Sequence, residues 1–333
     1  MKRKKIVVIG GGTGSFNVLS ALRDKGFELS AIVTMADHGG SSGILRDELG
    51  VLPPGDVRQC LVALAQSRDS LRELFTYRFH KGGLKGHTLG NIFLAACEDL
   101  TGSFEKAVLL ASDVLRIQGK VYPVTLKRVE LCMRLKNGQT LKGEPAITKS
   151  TELSSLGISK IFLRPRAAAN PRAIEAILRA DVIILAPGNL YSSLIPNLLV
   201  QGVSDSLLQS RAKKIYICNL MAKYGQTEGL CVHAFTQELE RWAGFHFFDT
   251  VLYNTKKPSL RLLSRYRREG TFIENDGESC IYAHCGKKGA QYVGMPLITE
   301  KIFVPKKGDP LAMQRTLIRH DAKLLSFAIL SLL

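Results

Sequence analysis

The sequence predicts an α/β fold with a doubly wound, mostly parallel β-sheet. Short apolar runs such as residues 6–9 and 182–186 alternate with longer stretches of helical periodicity, the pattern of a parallel sheet covered by helices on both faces. The first run leads into a glycine-rich turn at residues 10–15 (GGGTGS), a strand-to-helix junction typical of such sheets. With 333 residues, 45% of them hydrophobic, the chain can bury a large core. We expect one domain over residues 1–333.

The first third of the chain is expected to form two strands and four helices. Pro53 and Pro54 precede a stretch in which leucines recur at helical spacing, so a long helix is expected after them. The strands are expected at residues 6–9 and 30–34, and the helices at residues 16–25, 56–79, 88–100 and 103–115.

The pattern changes near residue 121. Val129, Leu131, Met133 and Leu135 alternate with mostly polar residues, as in a half-exposed strand. Asn137-Gly138 follows, which is the favoured sequence of a two-residue hairpin turn. A small antiparallel β-hairpin insertion is therefore predicted at about residues 121–149.

Strands and helices alternate again after the insertion. Asn170 and Pro171 signal a helix start, because asparagine caps helices and proline is favoured at the first helical position. The strands are expected at residues 158–163, 182–186, 214–218 and 250–253, and the helices from Pro171 and at residues 192–210, 229–243 and 311–333. Residues from about 256 to 333 should form a C-terminal extension that completes the ligand site, irregular and partly β at 270–307.

The composition excludes several classes of protein. The hydrophobic content is too high for a disordered chain, and no apolar run reaches the roughly 18 residues of a membrane-spanning helix. The apolar run at residues 6–9 is too short for a signal peptide core. The seven cysteines are scattered, which is typical of a reducing compartment. We expect a cytoplasmic protein without membrane insertion.

The chain carries a formal net charge of +17, which favours anionic partners such as nucleotides. The densest basic cluster, at residues 256–268, holds Tyr266 but no series of aromatic residues on which bases could stack. A solvated basic surface or an anion-binding wall therefore explains it better than a nucleic-acid site. A nucleic-acid module would require tight binding that falls steeply with salt.

Glycine-rich and polar loops follow several of the predicted strands. Ligands of doubly wound sheets bind outside the carboxyl ends of the strands, where small residues let backbone N–H groups approach a phosphate. A second Gly/Ser loop, at residues 37–43, stands where an NAD enzyme would place an acid for the ribose. The residues expected to line one polar cleft at this edge are Gly11, Gly12, Thr13, Gly14, Asp37, Gly39, Gly40, Ser41, Ser42, Arg46, Arg58, His87, Asn91, Asn189, Ser192 and Asn219.

Two carboxylates near these loops are candidates for holding a metal ion. Asp37 and Asp56 could share Mg²⁺ with the phosphate oxygens of a ligand, and Asp56 could equally be the N-cap of its helix. The sequence contains no Walker-type loop, no G-x-S-x-G elbow and no HExxH, so a nucleophilic enzyme is not supported and no catalytic residue is assigned.

Seven segments together resemble the bacterial gluconeogenesis factors (YvcK-like), which belong to the superfamily of the 2-phospho-L-lactate transferases (CofD-like). They occur in order from about Lys5 to the end of the chain. The segments are IVVIGGGTGS, AIVTMADHGGSSGILR, LPPGDVRQCLVALA, GHTLGNIFLAA, IILAPGNLYSSLIPNLLV, IYICNLMAKYGQTEG and IRHD.

The resemblance implies a Rossmann-like sheet that binds a nucleotide-linked sugar. Gluconeogenesis factors look like UDP-sugar binders, UDP-N-acetylglucosamine in particular, that regulate cell shape and peptidoglycan synthesis during gluconeogenic growth. Protein partners in wall synthesis and a homo-oligomer are in keeping with this. Tyr266 and Arg319 match a tyrosine and an arginine that hold the sugar nucleotide in that branch, since tyrosine can stack on uracil and arginine can clamp a diphosphate.

The resemblance also supports a second hypothesis, a Mg²⁺-dependent transferase that uses a nucleoside-diphosphate-linked donor. Asp37 and Asp56 would then hold the metal. His38 stands where the family has a second aspartate, and a neutral imidazole is a poor ligand for Mg²⁺. An NAD-dependent oxidoreductase rests on the glycine-rich turn alone. Residues 280–294 are atypical of the family.

Overall fold

The computed structural model of the protein describes residues 3–266, 270–273, 289–299 and 318–333. Its largest feature is a seven-stranded sheet in which all neighbouring strands are parallel, so the predicted doubly wound sheet is confirmed. The strands are β1 (Lys5–Gly10), β2 (Glu28–Val33), β3 (Lys120–Pro123), β7 (Val182–Leu185), β8 (Lys213–Ile217), β10 (Thr250–Asn254) and β12 (Gln291–Met295).

The sheet is wound outwards in two directions from its centre. The strand order is β12-β10-β8-β7-β1-β2-β3, so the chain proceeds to one side after β1 and to the other side after β7. Every residue of β7 is buried, as expected for a central strand covered on both faces. The crevice outside the carboxyl ends of β1 and β7 is the topological switch point, where ligands bind in this class of sheet.

Helices cover both halves of the sheet. Those of the first half are α1 (Gly12–Leu22), α2 (Gly40–Leu49), α3 (Gly55–Leu64), α4 (Asp69–Thr76), α5 (Leu89–Thr101) and α6 (Phe104–Leu115). Those that follow the insertion are α9 (Pro171–Leu178), α10 (Ile195–Leu198), α11 (Val203–Gln209), α12 (Val232–Ala243), α13 (Leu260–Tyr266) and α14 (Ala322–Leu332). None of the helices in the described part of the chain is long and apolar enough to cross a membrane.

The insertion is a separate three-stranded antiparallel sheet. Its strands are β4 (Glu130–Leu135), β5 (Thr140–Lys142) and β6 (Ile158–Arg164), in the order β5-β4-β6. The predicted turn joins β4 to β5, and Gly138 adopts the positive φ of +90° that such a turn requires. Two short helices, α7 (Glu144–Lys149) and α8 (Leu153–Leu156), connect β5 to β6.

The structure corrects both ends of the predicted insertion. β3 overlaps its expected start but is the edge strand of the main sheet, paired in parallel with β2. The strand expected at residues 158–163 forms as β6, but it pairs antiparallel with β4 instead of joining the parallel sheet. The insertion therefore extends to Arg164. Both differences arise from pairing between distant segments, which a local pattern does not specify.

The helix expected at residues 56–79 is broken into α3 and α4. The backbone N–H groups of Gln66 and Ser67 donate to the carbonyls of Arg116 and Leu115 at the end of α6, at 3.2 Å in each case. These bonds replace the ones that would continue α3. In a similar way, the helix expected at residues 192–210 is divided among a π-helical turn (Leu190–Leu194), α10 and α11.

The C-terminal residues return to the first βα unit. The helix expected at residues 311–333 is α14, which begins at Ala322 because the Asp321 side chain accepts the N–H groups of Lys323 and Leu324; residues 311–317 lie outside the described residues. α14 packs against α1. Within the segment at 280–294, only residues 289–294 are described, and they lead into β12. A short antiparallel pair, β9 (Met221–Lys223) and β11 (Gly270–Phe272), lies beside the main sheet.

Candidate functional site

The loops after β1 and β7 touch each other at the switch point. Gly14, in the first turn of α1, lies so close to Pro187 that a Cβ atom there would overlap the Pro187 carbonyl. Gly188 is held by Asn219 at the end of β8: its N–H donates to Asn219 Oδ1 at 3.0 Å, and its carbonyl accepts from Nδ2 at 2.6 Å. The structure thus brings Gly14 and Asn219 to the same crevice, and Gly14 contributes to it through close packing.

Asp56 lies at the N-terminus of α1. The backbone N–H of Gly12 donates to its carboxylate, and a Cβ atom at Gly12 would lie 2.5 Å from Asp56 Oδ1. A Cβ atom at Gly11, which caps α1, would lie 2.7 Å from Asp56 Oδ2. The partial positive charge of a helix N-terminus favours an anion at this place. The carboxyl group of Asp56 therefore lies at the position where a doubly wound protein usually binds phosphate.

The second Gly/Ser loop ends in the first turn of a helix that was not predicted, α2. Asp37 accepts the N–H of Gly39 at 2.9 Å and a hydrogen bond from Ser42. Ser42 in turn accepts the N–H of Gly55 at 3.1 Å, where α3 begins. These bonds place Asp37 and Asp56 at adjacent helix starts. The structure therefore brings together the two carboxylates that the sequence indicates.

Glu144, at the start of α7, joins these two carboxylates and was missed by the sequence analysis. A Cβ atom at Gly39 would lie 3.3 Å from Asp37 Oδ1 and 3.5 Å from Glu144 Oε2. Burial raises the pKa of all three acids, and the negative charges of the neighbouring carboxylates raise that of Asp56 further, to about 8. Nothing local marks Glu144 in the sequence, because only the tertiary fold of the insertion carries it to the crevice.

The residues at the crevice fit Mg²⁺ only as a two-carboxylate site. Carboxylate oxygens are suitable ligands, and Mg²⁺ is often held by one or two of them together with substrate phosphates. Among the described residues, no group of three His, Cys, Asp or Glu side chains is arranged to hold a metal ion. His38 Nδ1 lies 2.8 Å from the Ala36 carbonyl, so that ring nitrogen is used within its own loop.

A chain of buried hydrogen bonds supports the carboxylates from the side of α5. Arg58 Nε donates to Asn91 Oδ1 at 2.8 Å, and Asn91 Nδ2 donates to Ser41 Oγ at 3.1 Å. Ser41 Oγ lies 3.0 Å from His87 Nδ1. The Arg58 guanidinium lowers the pKa of Asp37 and of Asp56, against the larger effect of burial. Four of the predicted site residues thus form one connected network.

The opposite wall of the crevice begins at Asn189. Its side chain accepts the N–H groups of Tyr191 and Ser192 at 3.1 and 3.0 Å, so it caps the π-helical turn. Thr148 of α7 donates to Glu144 Oε1 at 2.7 Å and lies 3.5 Å from Ser192 Oγ. Through these contacts the insertion closes one side of the crevice.

Tyr266 and Arg319 are brought to the ends of β8 and β10. Tyr266 is buried in a small apolar cluster that includes Ile318, next to Arg319 in sequence. His320 hydrogen-bonds the backbone of Cys218, which precedes Asn219, and burial lowers the pKa of His320 to about 4. Arg319 is therefore held near Asn219, half-buried. The Tyr266 ring is covered in this conformation, so stacking on a base would require α13 to move.

Three further predicted residues lie at the margin of the crevice. Thr13 Oγ1 is 3.4 Å from Gln59 Oε1, and Arg46 pairs with exposed Asp47 at 2.6 Å. Gly40 is exposed, with φ of +46°. All three lie near the carboxyl edge, but Thr13 and Arg46 have side-chain partners of their own.

Comparison with known proteins identifies the family. Residues 6–296 match the family model described as 2-phospho-L-lactate transferase CofD. The chain belongs to this family. A Thermotoga maritima protein named provisionally as a gluconeogenesis factor is 46% identical over 96% of both chains, and the gluconeogenesis factor of Bacillus subtilis is 39% identical over 80% of this chain and 84% of its own. The resemblance carried by the seven sequence segments is thereby confirmed.

The fold is shared with a solved relative. A crystal structure of a Bacillus halodurans protein has a TM-score of 0.87, with 36% sequence identity over 99% of this chain and 100% of that one. The parallel sheet, the antiparallel insertion and the C-terminal helix are thus features of a CofD-family chain of the gluconeogenesis-factor type.

Proposed function

We propose that this protein binds a UDP-sugar, UDP-N-acetylglucosamine in particular, and acts as a regulator of cell shape and peptidoglycan synthesis during gluconeogenic growth. The observation that carries the proposal is the meeting of polar loops at the switch point between β1 and β7, where Gly14 and Asn219 frame one crevice. The gluconeogenesis-factor names of close relatives support the regulatory part.

The charges around the crevice suggest how the ligand lies. Asp56 already occupies the N-terminus of α1, so a diphosphate there would face the carboxylates of Asp37 and Glu144. Arg319 comes from a different part of the chain: its neighbour His320 bonds the backbone of Cys218, next to Asn219, so Arg319 would bring a cation to that side of the crevice. The diphosphate would then bind towards Arg319, because a guanidinium can bond two of its oxygens at once.

Calorimetric titration of the full chain with UDP-N-acetylglucosamine tests the proposal, with NAD and GDP as controls and with and without Mg²⁺. We expect binding of the UDP-sugar alone, without a need for Mg²⁺. Arg319→Ala should weaken it by about tenfold or more, because a charge-assisted contact is lost. The matched variant Arg211→Ala, at an exposed arginine away from the crevice, should bind like the unaltered protein. Failure to bind at high micromolar ligand would overturn the proposal.

The neighbouring carboxyl groups of Asp37 and Asp56, together with the transferase description of the family model, favour a second candidate, a Mg²⁺-dependent transferase. In that case Asp37 and Asp56 would hold the ion, which supplies charge neutralisation at the diphosphate. Binding of GDP that needs Mg²⁺ and is lost in Asp37→Asn would establish this candidate in place of the first. Binding of the UDP-sugar in the presence of EDTA would exclude a metal-dependent site for that ligand.

A further inference from the structure

The outer face of the β5-β4-β6 sheet carries a cluster of cations, named here the basic face. Directly opposite residues of an antiparallel pair lie on the same face, and the register pairs Arg134 with Lys160. The same ladder places Lys142 of β5 and Arg164 of β6 on this side. All four side chains are exposed, so they form one positively charged surface on the insertion.

The register of the strands keeps the side chains of the basic face exposed to solvent. The alternate residues of the strands, such as Leu131, Met133 and Ile161, are buried on the inner side against the core. A shift of one residue would expose this apolar set, so the register is fixed. The position of the cations is therefore a stable property of the fold.

The positive charges of the basic face outnumber the negative charge beside them in the described strands. Among the residues that the structure describes, none of Arg134, Lys142, Lys160 and Arg164 forms an ion pair. Glu130, opposite Arg164, is the one acidic residue in the ladder of this face. A strong positive field at a surface favours an anionic partner.

One pairing on this face acts against stability. Arg134 and Lys160 are directly opposite, and like charges in that arrangement destabilise a sheet. Lysines on edge strands often prevent unwanted strand pairing, which would explain Lys142 and Lys160. Arg134, however, lies on the central strand β4, where there is no edge to protect. Protection of an edge therefore accounts for Lys160 but leaves Arg134 unexplained.

We propose that the basic face is a docking surface for an acidic, extended segment of a partner protein. Lys160 and Arg164 lie four residues apart on β6, about 13 Å, with half-buried Phe162 between them. Lys160 Nζ lies 5.8 Å from the centroid of the Phe162 ring. This spacing of cation, aromatic ring and cation matches an extended segment in which acidic, apolar and acidic residues occupy alternate positions.

The face fits a protein segment better than other polyanions. Phe162 is the one aromatic residue of this face in the described strands, whereas single-stranded nucleic acids bind to several aromatic platforms in succession. No large apolar side chain of the three strands is exposed here, so nothing is available to insert into a lipid surface. The cations of the basic face complement the charge of an acidic peptide, which is the partner that we therefore favour.

Fluorescence anisotropy with the full chain tests the proposal. The probe is a fluorescein-labelled peptide with two copies of Glu-Ser-Leu-Ser-Glu, and the double variant Arg134→Ser/Lys160→Ser is compared with the matched variant Lys106→Ser/Arg211→Ser. Each removes one lysine and one arginine from an exposed position without an ion pair. We expect the first variant to weaken peptide binding about tenfold and the second less than about twofold. The reason is that a cation contributes most to affinity when it lies close to the charges of the bound peptide.

Two other probes decide between partner classes. A uridine dodecamer and vesicles of phosphatidylcholine with phosphatidylglycerol should bind more weakly than the peptide and show no special dependence on Arg134 and Lys160. Equal weakening in both double variants, or a preference of the basic face for RNA or vesicles, would overturn the proposal. Thermal unfolding checks that the variants are folded. Because Arg134→Ser/Lys160→Ser removes a like-charge pair, its melting temperature should be equal to or higher than that of the unaltered protein.

Discussion

At the scale of single residues, the crevice depends on glycines for close packing and on three neighbouring acidic side chains, whose pKa values burial raises. Gly14 lacks space for any side chain beside Pro187, and Asp56 fills the positive end of α1. The glycines were visible in the sequence because a turn at a strand end is a local feature. Glu144 was not, because its distance from Asp37 depends on how the insertion folds back.

Gly14→Ala should destabilise the protein by about 2–4 kcal/mol, because the added methyl group overlaps backbone that cannot rotate away. Urea unfolding at neutral pH measures the change. Gly83→Ala is the matched control, since a Cβ atom there meets nothing within 4 Å. It should change stability by less than about 1 kcal/mol, with stabilisation as the favoured sign. Equal effects of the two variants would contradict the packing role of Gly14.

The raised pKa of Asp56 predicts a stability that falls with pH. The folded state holds its proton up to about pH 8, whereas the unfolded chain releases it near pH 4, so this group's contribution declines between these values. At pH 8 the free energy of unfolding of Asp56→Asn should therefore be higher than that of the unaltered protein by at least about 1 kcal/mol. This difference should become smaller as the pH is lowered towards 5. Unfolding curves at each pH measure this, with Asp99→Asn at the surface as control. A constant difference across the pH range would disprove the shift.

At the scale of elements, the insertion is the part that sequence patterns described least well. Its hairpin turn at Asn137-Gly138 was predicted correctly, because that dipeptide encodes the turn by itself. Its third strand, β6, was placed in the wrong sheet, since an apolar run does not state its partner. Likewise, the break after α3 comes from hydrogen bonds to the end of α6, far along the chain.

The helix that carries Glu144 depends on one glutamine from another segment. Gln226 is buried, and its Nε2 lies within 3.2 Å of the carbonyls of Ile147, Thr148 and Ser150 at the end of α7. Gln226→Ala should destabilise the protein by about 1–3 kcal/mol, because these carbonyls lose a buried donor that joins them, although the Thr148 carbonyl still accepts from Lys223 Nζ. Hydrogen exchange in α7 should accelerate as well.

Gln139→Ala provides the comparison for that variant. Gln139 is exposed at the hairpin turn, so its side chain should contribute little to unfolding or exchange. If the rate of hydrogen exchange in α7 is the same in Gln226→Ala as in the unaltered protein, the glutamine does not hold the helix in place.

At the scale of the whole molecule, the order β12-β10-β8-β7-β1-β2-β3 explains why distant motifs meet. Alternating strand and helix patterns were sufficient to predict a doubly wound sheet, and such a sheet collects strand-end loops at one edge. The position of Tyr266 was beyond that reasoning, because its burial beside Ile318 depends on the C-terminal segment. The inner face of the insertion packs on the same core, which leaves its basic face exposed.

The most direct test of the account is a crystal structure of the full chain grown with UDP-N-acetylglucosamine. We expect ligand density in the crevice between the carboxyl ends of β1 and β7, with the diphosphate bonded by Arg319 and the carboxyl groups of Asp37, Asp56 and Glu144 turned away from it. Density for the nucleotide elsewhere on the protein would contradict the central claim, and so would a diphosphate bound through a metal ion on Asp37 and Asp56.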